Sequence, residues 1–586
     1  MKAAPPPTVK GAAAFHEDRG PVDPADVQME IRRISRLRPR TPEAEVKDWT
    51  PLFRTPRGTM RLRPRQNAAL TEISRAWGLF GMLGVGEGKT LVSLLAANVL
   101  NQTVGPIFVE PILIVPSSLR SKTAEDMELY RRHFKFPEPH VCSYEELSRQ
   151  SDLLIRRGPN LIICDEAHNL ANPDAARTKR FITFVKEIRA KGQPLVIILL
   201  SGTFTRTKLK DYAHLADLAL TDKSPVPRPK PVVGVFDRVM CEELTPTAND
   251  LDLISGFTSR FCPVTSPSRE DFRRASREAL AIRLNDAEGT IVSTEMSYTG
   301  PLTLRGMDFD VPDTLQEILA EVRETGTRPD GEVFDSTAAQ AMCETQLLQG
   351  YYTRWVWPES GKDEEWMFHR AAYHKQVRLF LKAHAKVYQD SPKLVWDALA
   401  GGTLDRAKHG PLYRAWESWV KVKHRHHPHP PVHYEWVGDH MVEAVRDYLT
   451  QTKTPTLIWC SSPTFMARAA KVLKLPATPN GKAPSKVETC LVSILSHATG
   501  LNLQGWCQNL LTVVPGCGVR MEQLIGRTHR PGQAVPVMLD YFAGESRLNR
   551  NIHRALYRAQ HIEQTTKTPQ RLNRATLVNL PPEEED

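Results

Sequence analysis

The sequence lacks the features of an exported, membrane-embedded or zinc-stabilised protein. Its nine cysteines include no C-x-x-C pair, and most lie in apolar runs such as "LIIC" and "LIWC", which indicates reduced thiols and argues against a zinc module. No uninterrupted apolar stretch approaches the ~18 residues of a membrane span. The N-terminal segment has a lysine but not the apolar region of a signal peptide. We therefore expect a cytoplasmic protein that contacts no membrane.

The charge balance is only mildly asymmetric. Lysine and arginine total 77, aspartate and glutamate total 67, and the net charge is +10. A basic chain favours polyanionic partners, although this excess does not identify one. The length of 586 residues exceeds what one hydrophobic core usually serves, which predicts two or three domains.

Short apolar runs followed by helical patterns occur in two separate parts of the chain. The early runs are "GLFGML", "ILIV", "LIIC" and "LVIILL", and the late runs are "TLIWC", "CLVSIL" and "NLLTVV". Continuous apolar strands that alternate with helices are typical of parallel sheets covered on both faces. Such runs are scarce between residues 226 and 435, where helical patterns such as "DTLQEILAEVRE" prevail. The sequence thus predicts an α/β fold with two parallel-sheet lobes and a largely helical insertion between them.

These patterns also place the domain boundaries. The predicted segments are a flexible basic N-terminal arm (1–50), a first lobe (51–265), a mainly helical insertion or linker (266–435), a second lobe with a C-terminal helix (436–562) and a tail (563–586). The arm has five arginines between Arg32 and Arg40, and a solvated charge run is the alternative interpretation. The tail ends in "PPEEED", which is typical of a disordered acidic segment.

A histidine cluster lies at the end of the predicted insertion. Its members are His424, His426, His427, His429 and His433. Prolines interrupt their spacing, and no cysteine or carboxylate set completes a ligand group. An exposed linker is therefore the preferred interpretation, and a metal-binding tract is the alternative.

The stretch "GVGEGKT", residues 84–90, lies between an apolar run and a leucine-rich segment. Its glycines allow backbone N–H groups to turn inward around phosphate oxygens, Lys89 is placed to reach the β- and γ-phosphates, and Thr90 to bind Mg²⁺. The predicted nucleotide-binding residues of this loop are Gly84, Gly86, Glu87, Gly88, Lys89 and Thr90. The general pattern G-x-x-x-x-G-K-[ST] requires a first glycine where this chain has Leu83, and a chance glycine-rich turn is the alternative.

A P-loop needs a metal-holding carboxylate at the end of a neighbouring strand, and "LIICDEAH" supplies one. Asp165 is expected to hold Mg²⁺, and Glu166 to orient or deprotonate the attacking water. An Asp-Glu pair after a strand is by itself usually a solvated strand end. Its position after a P-loop favours the catalytic interpretation.

Asp165 to His168, together with the glycine-rich loop, resemble the D-E-A-H box of superfamily 2 helicases. Members of that superfamily bind ATP in the cleft between two RecA-like lobes, so the resemblance implies that fold, with ATP and Mg²⁺ as ligands. Upstream, "LRPRQ" resembles the family element whose glutamine, here Gln66, reads adenine. Three further motifs follow in the family's order: "ILIVPSSLRSK", "VCSYEEL" and "LLSGTFTRTKLKDY".

The second lobe carries motifs that resemble the Swi/Snf-type branch of DNA-dependent ATPases. "SHATGLNL" is similar to motif V, which implies nucleotide contacts for Gly500 and Asn502, and "EQLIGRTHRPGQ" is similar to motif VI. In this branch Arg527 and Arg530 are expected to act as arginine fingers on the transferring γ-phosphoryl group. Surface arginines on a helix are the alternative.

The resemblance also implies a set of residues that contact nucleic acid or couple it to hydrolysis. These residues are Ser117, Ser118, Arg120, Ser143, Tyr144, Ser201, Thr203, Ser461 and Thr499. The first five lie in motifs that commonly face the nucleic-acid backbone, whereas Ser201 and Thr203 lie in the motif that couples hydrolysis to lobe movement. We expect His168 to form a hydrogen bond between motifs, and a core histidine is the alternative.

The chain departs from the family pattern at several points. Motif I has Leu83-Gly84 where an acidic pair is usual, and motif III has Phe204 where proline is usual. The second lobe is also short between "LIWCSS" and "CLVSIL", so the family's intervening arginine element is compressed or absent. This puts directional translocation in more doubt than ATP hydrolysis.

These observations predict an ATP-dependent DNA translocase or helicase that duplex DNA stimulates. The alternatives are a single-strand DNA or RNA helicase, a hydrolysis-deficient nucleic-acid scaffold, and a small-molecule P-loop kinase or switch. A protein that recruits the motor is expected to bind the insertion at 266–435. The compact layout resembles bacteriophage or prokaryotic members of the family, which would place the protein in the host cytoplasm.

Overall fold

A computed structural model describes residues 22–583 with short gaps. The positions outside the description are 1–21, 85, 109, 193, 203, 205–206, 264–267, 333, 335–336, 359–360, 384–391, 427–428, 479–481, 499–500 and 584–586.

Helices and strands alternate along most of the described chain. The α-helices are α1 (Pro24–Ser35), α2 (Thr50–Phe53), α3 (Pro64–Ala76), α4 (Lys89–Val104), α5 (Arg120–Arg131), α6 (Tyr144–Arg156), α7 (Ala176–Ala190), α8 (Ala213–Leu220), α9 (Lys230–Met240), α10 (Ala248–Phe261), α11 (Arg269–Asp286), α12 (Asp313–Thr325), α13 (Thr337–Leu348), α14 (Glu364–Ala383), α15 (Pro392–Ala400), α16 (Gly410–Val422), α17 (His440–Gln451), α18 (Pro463–Leu473), α19 (Ile494–His497), α20 (Gly518–Thr528) and α21 (Ser546–Thr566). The strands are β1 (Leu79–Met82), β2 (Ile112–Val115), β3 (His140–Ser143), β4 (Leu161–Asp165), β5 (Val196–Ser201), β6 (Thr290–Val292), β7 (Leu302–Asp308), β8 (Tyr351–Trp355), β9 (Val432–Trp436), β10 (Thr456–Cys460), β11 (Ala477–Thr478), β12 (Cys490–Ser493), β13 (Gln508–Leu511), β14 (Val537–Ala543) and β15 (Thr576–Val578).

The first sheet has six parallel strands in the order β3-β2-β4-β5-β1-β6. Its strands are apolar on both faces because helices cover both sides. Alternate side chains of β2 show this: Ile112 and Ile114 pack into one core, and Leu113 and Val115 into the other.

The second sheet has seven strands in the order β11-β12-β10-β13-β14-β7-β15, and all its neighbours are parallel. Its faces are also covered on both sides. Ile458 and Cys460 of β10 pack into one core, while Leu457 and Trp459 pack into the other. The predicted α/β class with two parallel sheets is therefore confirmed.

A separate helical module projects from the second unit between β8 and β9, which form an antiparallel pair. Helices α14, α15 and α16 enclose its own aromatic core around Trp366, Tyr373 and Trp419. The module spans 351–436, so the predicted helical insertion exists but is much shorter than 266–435.

The predicted lobe boundaries at 265 and 436 were wrong. Strand β6 adds to the edge of the first sheet beside β1, which extends the first unit to about residue 293. Strand β7 pairs with β14 inside the second sheet, and α12 and α13 supply residues to its core. Both strands escaped the sequence analysis because β6 has only three residues and β7 alternates in burial rather than being uniformly apolar.

The prediction of a flexible arm at 1–50 was also wrong for the part that the structure describes. Val27, Ile31 and Ile34 of α1 are buried in the core of the first sheet. The Arg33 guanidinium donates to three backbone carbonyls, those of Asp222, Ser224 and Val226. These contacts fix the basic segment to the domain.

The predicted tail at 563–586 is likewise part of the fold up to Val578. Helix α21 continues to Thr566, a short 3-10 helix covers Arg571–Arg574, and β15 pairs with β7. Leu548 and Ile552 of α21 are fully buried, so one face of this helix packs into the cores of the second unit. The acidic residues 584–586 lie outside the description.

Among the described residues, no helix is both long and apolar enough to cross a membrane.

Candidate functional site

The glycine-rich loop connects β1 to α4 as the sequence predicts. Gly86 and Gly88 have φ angles of 91° and 74°, values that favour glycine because a Cβ is strained there. The N–H of Gly84 donates to Ser293 Oγ at 3.1 Å, just after β6. The loop ends at the N-terminus of a 16-residue helix, the end that carries a partial positive charge.

The side-chain amide of Gln66 binds this loop. Its Nε2 donates to the carbonyls of Glu87 and Gly88, each at 3.2 Å, and its Oε1 accepts from the Arg63 N–H at 2.9 Å. A Cβ built on Gly88 would lie 2.2 Å from Gln66 Nε2, so only glycine fits there. The Gln66 amide therefore binds the loop in this structure, and its expected contact with adenine stays a prediction.

Lys89 and Thr90 occupy the first turn of α4. The Lys89 ammonium donates to the carbonyl of Leu83 at 3.2 Å and lies 3.6 Å from Glu166 Oε1. Its side chain is almost wholly buried, at 10% exposure, so its charge acts in a low-dielectric setting.

Asp165 and Glu166 stand at the carboxyl end of β4, next to the loop. The Glu166 N–H donates to Asp165 Oδ1 at 2.9 Å, and the Tyr144 hydroxyl donates to the Asp165 carbonyl at 2.8 Å. Glu166 adopts a φ of 51°, which is uncommon for a residue with a Cβ and is typical of functional sites.

His168 connects two motifs. Its Nδ1 lies 2.9 Å from Ser201 Oγ at the end of β5 and 3.2 Å from Glu166 Oε2. The predicted inter-motif hydrogen bond of His168 is confirmed. It makes a continuous chain from Ser201 through His168 to Glu166.

The two carboxyl groups of the site differ in acidity. Burial, and then the charge of Glu166, raise the pKa of Asp165. Burial also acts to raise the pKa of Glu166, but Lys89 and His168 outweigh it and hold that pKa well below its usual range. Glu166 is therefore the stronger acid of the pair, and Asp165, with a pKa of about 6, is the first of the two to be protonated as the pH falls below neutral.

Arg527 and Arg530 lie at the end of α20 and just beyond it, and both bind the segment that follows β12. Arg527 donates to the carbonyls of Gln523 and Leu501, at 3.0 and 3.2 Å. Arg530 donates to the Leu501 carbonyl at 3.4 Å and to Asn502 Oδ1. Burial lowers the pKa of Arg527 to about 10, while the charge of Glu166 acts in the opposite direction.

A cleft between the two units lies next to the glycine-rich loop and α20. Gly84, Glu87 and Glu166 line it from the first unit. Glu522 and Gln523 of α20 line it from the second.

The residues predicted to contact nucleic acid differ in their exposure to solvent. Ser117, Ser118 and Arg120 are exposed after β2, as expected. Ser143 and Tyr144 are buried at 3% and 0%, so the prediction that they face a nucleic-acid backbone was wrong. Ser143 instead caps α6 by accepting from the Glu146 N–H at 3.1 Å.

The other predicted residues have mixed outcomes. Ser201 is buried beside His168, which fits a coupling role more than a nucleic-acid contact. Ser461 accepts a hydrogen bond from Gln349 at 2.8 Å at the carboxyl end of β10. Thr203, Thr499 and Gly500 lie outside the described residues.

A groove of about 900 Å³ lies beside Ser461. Ser462, Thr464, Arg547 and Arg554 also line it. The Nε of Arg547 is buried and has no hydrogen-bond partner in the described part of the chain. Hydroxyls and arginines around a groove match the phosphate groups of a nucleic-acid backbone.

Sequence reasoning missed three parts of the site. Ser293 holds the loop through Gly84, Tyr298 packs on His529 with ring centroids 4.8 Å apart, and Arg571 forms a buried ion pair with Glu522. The serine after the apolar triplet "TIV" was a usable signal for a strand end. The other two depend on contacts between distant segments and leave no local pattern.

The described members of the histidine cluster lie near the C-terminal end of the helical module. His424, His429 and His433 are exposed, and His426 is half-buried. His426 packs against Trp357 and Trp366 and lies 3.3 Å from Asp363. Within the described ranges, no group of three or more His, Cys, Asp or Glu side chains is arranged to hold a metal ion. His427 is outside those ranges.

The sequence matches no protein-family model, and no curated protein matches it significantly.

Proposed function

We propose that this protein hydrolyses ATP with Mg²⁺ in the cleft between two RecA-like lobes and that nucleic acid, with duplex DNA favoured, stimulates the reaction. The observation that carries the proposal is the contact of Lys89 with Glu166 beside the glycine-rich loop, at a cleft that α20 lines from the other unit. The Lys89 ammonium lies 3.6 Å from Glu166 Oε1, and Arg527 lies on α20. Convergence of these groups across a cleft suits the transfer of a phosphoryl group.

The residues present fit a magnesium nucleotide. Gly86 and Gly88 have the backbone that a phosphate-binding loop requires, and α4 directs its N-terminus at the same place. Thr90 and Asp165 provide the hydroxyl and carboxylate oxygens that Mg²⁺ prefers, and they would hold it. When bound, the ion would neutralise charge on the phosphates.

Each side chain then has a defined task. Lys89 exchanges its loop carbonyl contacts for phosphate oxygens, and Glu166 keeps its negative charge and orients the attacking water. Arg527 is held by two carbonyls, one of them that of the cleft-lining residue Gln523, so its rotation is restricted. The chain from Glu166 through His168 to Ser201 gives the site a physical connection to the segment after β5.

The nucleic-acid part of the proposal rests on surface chemistry. Exposed Ser117, Ser118 and Arg120 lie on the first unit, and the groove with Arg547 and Arg554 lies on the second. A nucleic-acid backbone that contacts both of these surfaces would favour one relative position of the two units. In the proposed mechanism, that position favours the approach of Arg527 to the site at Glu166.

The experiment is steady-state ATP hydrolysis with no nucleic acid, duplex DNA, single-stranded DNA or RNA. We expect the strongest stimulation by duplex DNA and its loss in Lys89→Ala. Strongest stimulation by single-stranded DNA or RNA would replace the duplex assignment. Low turnover under all four conditions, with nucleotide still bound, would support a hydrolysis-deficient scaffold instead.

A further inference from the structure

Two residues of the C-terminal segment line the cleft although neither belongs to a recognised motif. They are Thr568 and Gln570, which follow α21 and are buried to 4% and 0% exposure. Each has a buried polar atom with no hydrogen-bond partner in the described chain, Thr568 Oγ1 and Gln570 Oε1. Two such atoms within three residues, both in the wall of one cleft, require an explanation because unpaired buried polar atoms are rare and destabilising.

The orientation of the Gln570 carboxamide is determined by its surroundings. Its Nε2 donates to the carbonyls of Thr568 and Pro569, at 3.1 and 3.4 Å. Rotating the amide by 180° would place its oxygen against two other oxygens, so the unpaired atom is the oxygen. Gln570 therefore offers an acceptor that lacks a donor.

The segment is held firmly to the helix that carries Arg527. The Arg571 N–H donates to Glu522 Oε2 at 2.8 Å, its guanidinium pairs with the same carboxylate, and its Nε donates to the His529 carbonyl at 3.1 Å. The side chains of Arg571 and Glu522 are 5% and 8% exposed. A buried, multiply bonded anchor of this kind keeps Thr568 and Gln570 in the cleft wall.

The chemistry of a nucleotide limits what these two atoms can meet. Ionised phosphates present only acceptor oxygens, so they cannot satisfy Gln570 Oε1. The donors of a nucleotide are the ribose hydroxyls and the N–H groups of the base, all at the nucleoside end. Gln66, the residue expected to read adenine, already uses both of its amide hydrogens on the loop.

We propose that Thr568 and Gln570 form a subsite for the nucleoside end of the bound nucleotide. In this subsite the Thr568 hydroxyl and the Gln570 carbonyl each accept a hydrogen bond from a donor on the ribose or the base. This inference rests on the proposed function, because it assumes that the cleft binds a nucleotide. It adds that the C-terminal segment, through Arg571, connects the nucleoside to α20 and Arg527.

The test is calorimetric binding of ADP with Mg²⁺ to the full-length protein and to two variants, Thr568→Val and Gln570→Leu. Gln560→Leu is the matched control, since Gln560 is exposed on α21 and does not line the cleft. We expect each cleft variant to bind ADP about 5- to 10-fold more weakly, the effect of one hydrogen bond. Gln560→Leu should bind as the wild type does.

Two analogues identify the donor. If it is a ribose hydroxyl, 2′- or 3′-deoxy-ADP binds the wild type more weakly than ADP does, and Thr568→Val or Gln570→Leu removes that difference. If it is the amino group of adenine, GDP, which lacks that group, binds the wild type more weakly than ADP does, and Thr568→Val or Gln570→Leu removes that difference. Either pattern supports the subsite.

Thermal unfolding without nucleotide separates this role from a structural one. Replacing an unpaired buried hydroxyl by a methyl group does not destabilise the empty protein, so Thr568→Val should unfold at the wild-type temperature or above. A lower unfolding temperature with unchanged ADP affinity would show a structural role and overturn the subsite. If the wild type binds ADP and both variants bind it equally well, the subsite alone is overturned. If the wild type binds no nucleotide, the proposed function is overturned as well.

Discussion

The ammonium of Lys89 lies 3.6 Å from the carboxylate of Glu166, and both side chains are largely buried. The two residues are 77 positions apart in number: Lys89 begins α4, and Glu166 follows β4. Each charge neutralises the other, which lowers the cost of burying both. A phosphate that pairs with Lys89 would leave Glu166 paired with His168 and subject to the charge of Arg527. The Lys89–Glu166 pair is therefore sensitive to what the cleft binds.

Glu166→Gln should uncouple binding from hydrolysis. The substitution preserves the size of the side chain but removes the charge that orients water, so we expect ATP hydrolysis to fall about 100-fold or more. Nucleotide affinity should be retained, since Lys89 no longer has a competing carboxylate. Calorimetry and single-turnover hydrolysis measure the two effects, with Glu128→Gln, an exposed residue of α5, as the control. Normal hydrolysis by Glu166→Gln would remove Glu166 from the mechanism.

Arg527 should act on turnover rather than on the fold. Arg527→Lys retains a cation but loses the planar group that bonds two carbonyls, and we expect the hydrolysis rate to fall by about 10²-fold. Arg520→Lys is the matched control because Arg520 lies on the same helix and is exposed. The comparison is made at saturating ATP and DNA, with unfolding temperatures recorded for both variants. Equal rates for the two variants would contradict a catalytic role.

Ser201 should couple nucleic acid to hydrolysis. Ser201→Ala removes the hydroxyl that contacts His168 and leaves Lys89, Asp165 and Glu166 in place. We expect hydrolysis without DNA to change by no more than about threefold, and the stimulation by DNA to be lost. Ser276→Ala removes another fully buried hydroxyl, far from the cleft, and should leave stimulation intact. A parallel fall of basal and stimulated rates would point to general damage to the site.

The groove arginines should contribute to nucleic-acid affinity through phosphates. The double variant Arg547→Ala, Arg554→Ala should weaken duplex binding without changing sequence preference. Its plot of log affinity against log salt should be shallower by about 1.8, the value for two lost phosphate contacts. Arg131→Ala, Arg132→Ala, on an exposed end of α5, is the control pair with the same charge change. An unchanged salt slope in the groove variant would exclude these contacts.

Buried His214 should make the fold sensitive to acid. Burial lowers the pKa of His214 to about 4, below the value of 6.5 for an exposed histidine. Its stabilising effect is therefore complete above pH 6.5 and is lost as the pH falls toward 4, by roughly 3 kcal/mol. Chemical unfolding at several pH values should show a smaller loss over this range in His214→Gln than in the wild type. His424→Gln, at an exposed position, should behave as the wild type.

Local pattern was sufficient for the centre of the site. A buried strand, a loop with three glycines and a leucine-rich helix follow one another at 79–104, and the structure has β1, the loop and α4 at those places. Asp165 ends β4 as the apolar run before it predicts. These features depend on neighbours in sequence, because turn residues and the burial of short strands are local properties.

The extent of each unit depended on distant partners instead. Strand β6 exists because its three residues pair with β1, over 200 positions earlier, and β15 exists because β7 accepts it at the sheet edge. Neither segment has a hydrophobic pattern strong enough to predict a strand. The same non-local contacts turned the expected arm and tail into parts of the domain.

The sequence by itself determined the α/β class, the two parallel sheets and the positions of the glycine-rich loop and the Asp165–Glu166 pair. Only the tertiary structure decided that Gln66 supports the loop, that Tyr144 is buried under Asp165, and that the segment around Gln570 forms part of the cleft wall. The reason is physical: a side chain's partners are set by how separate elements pack, and packing brings together residues whose separation in the chain carries no signal.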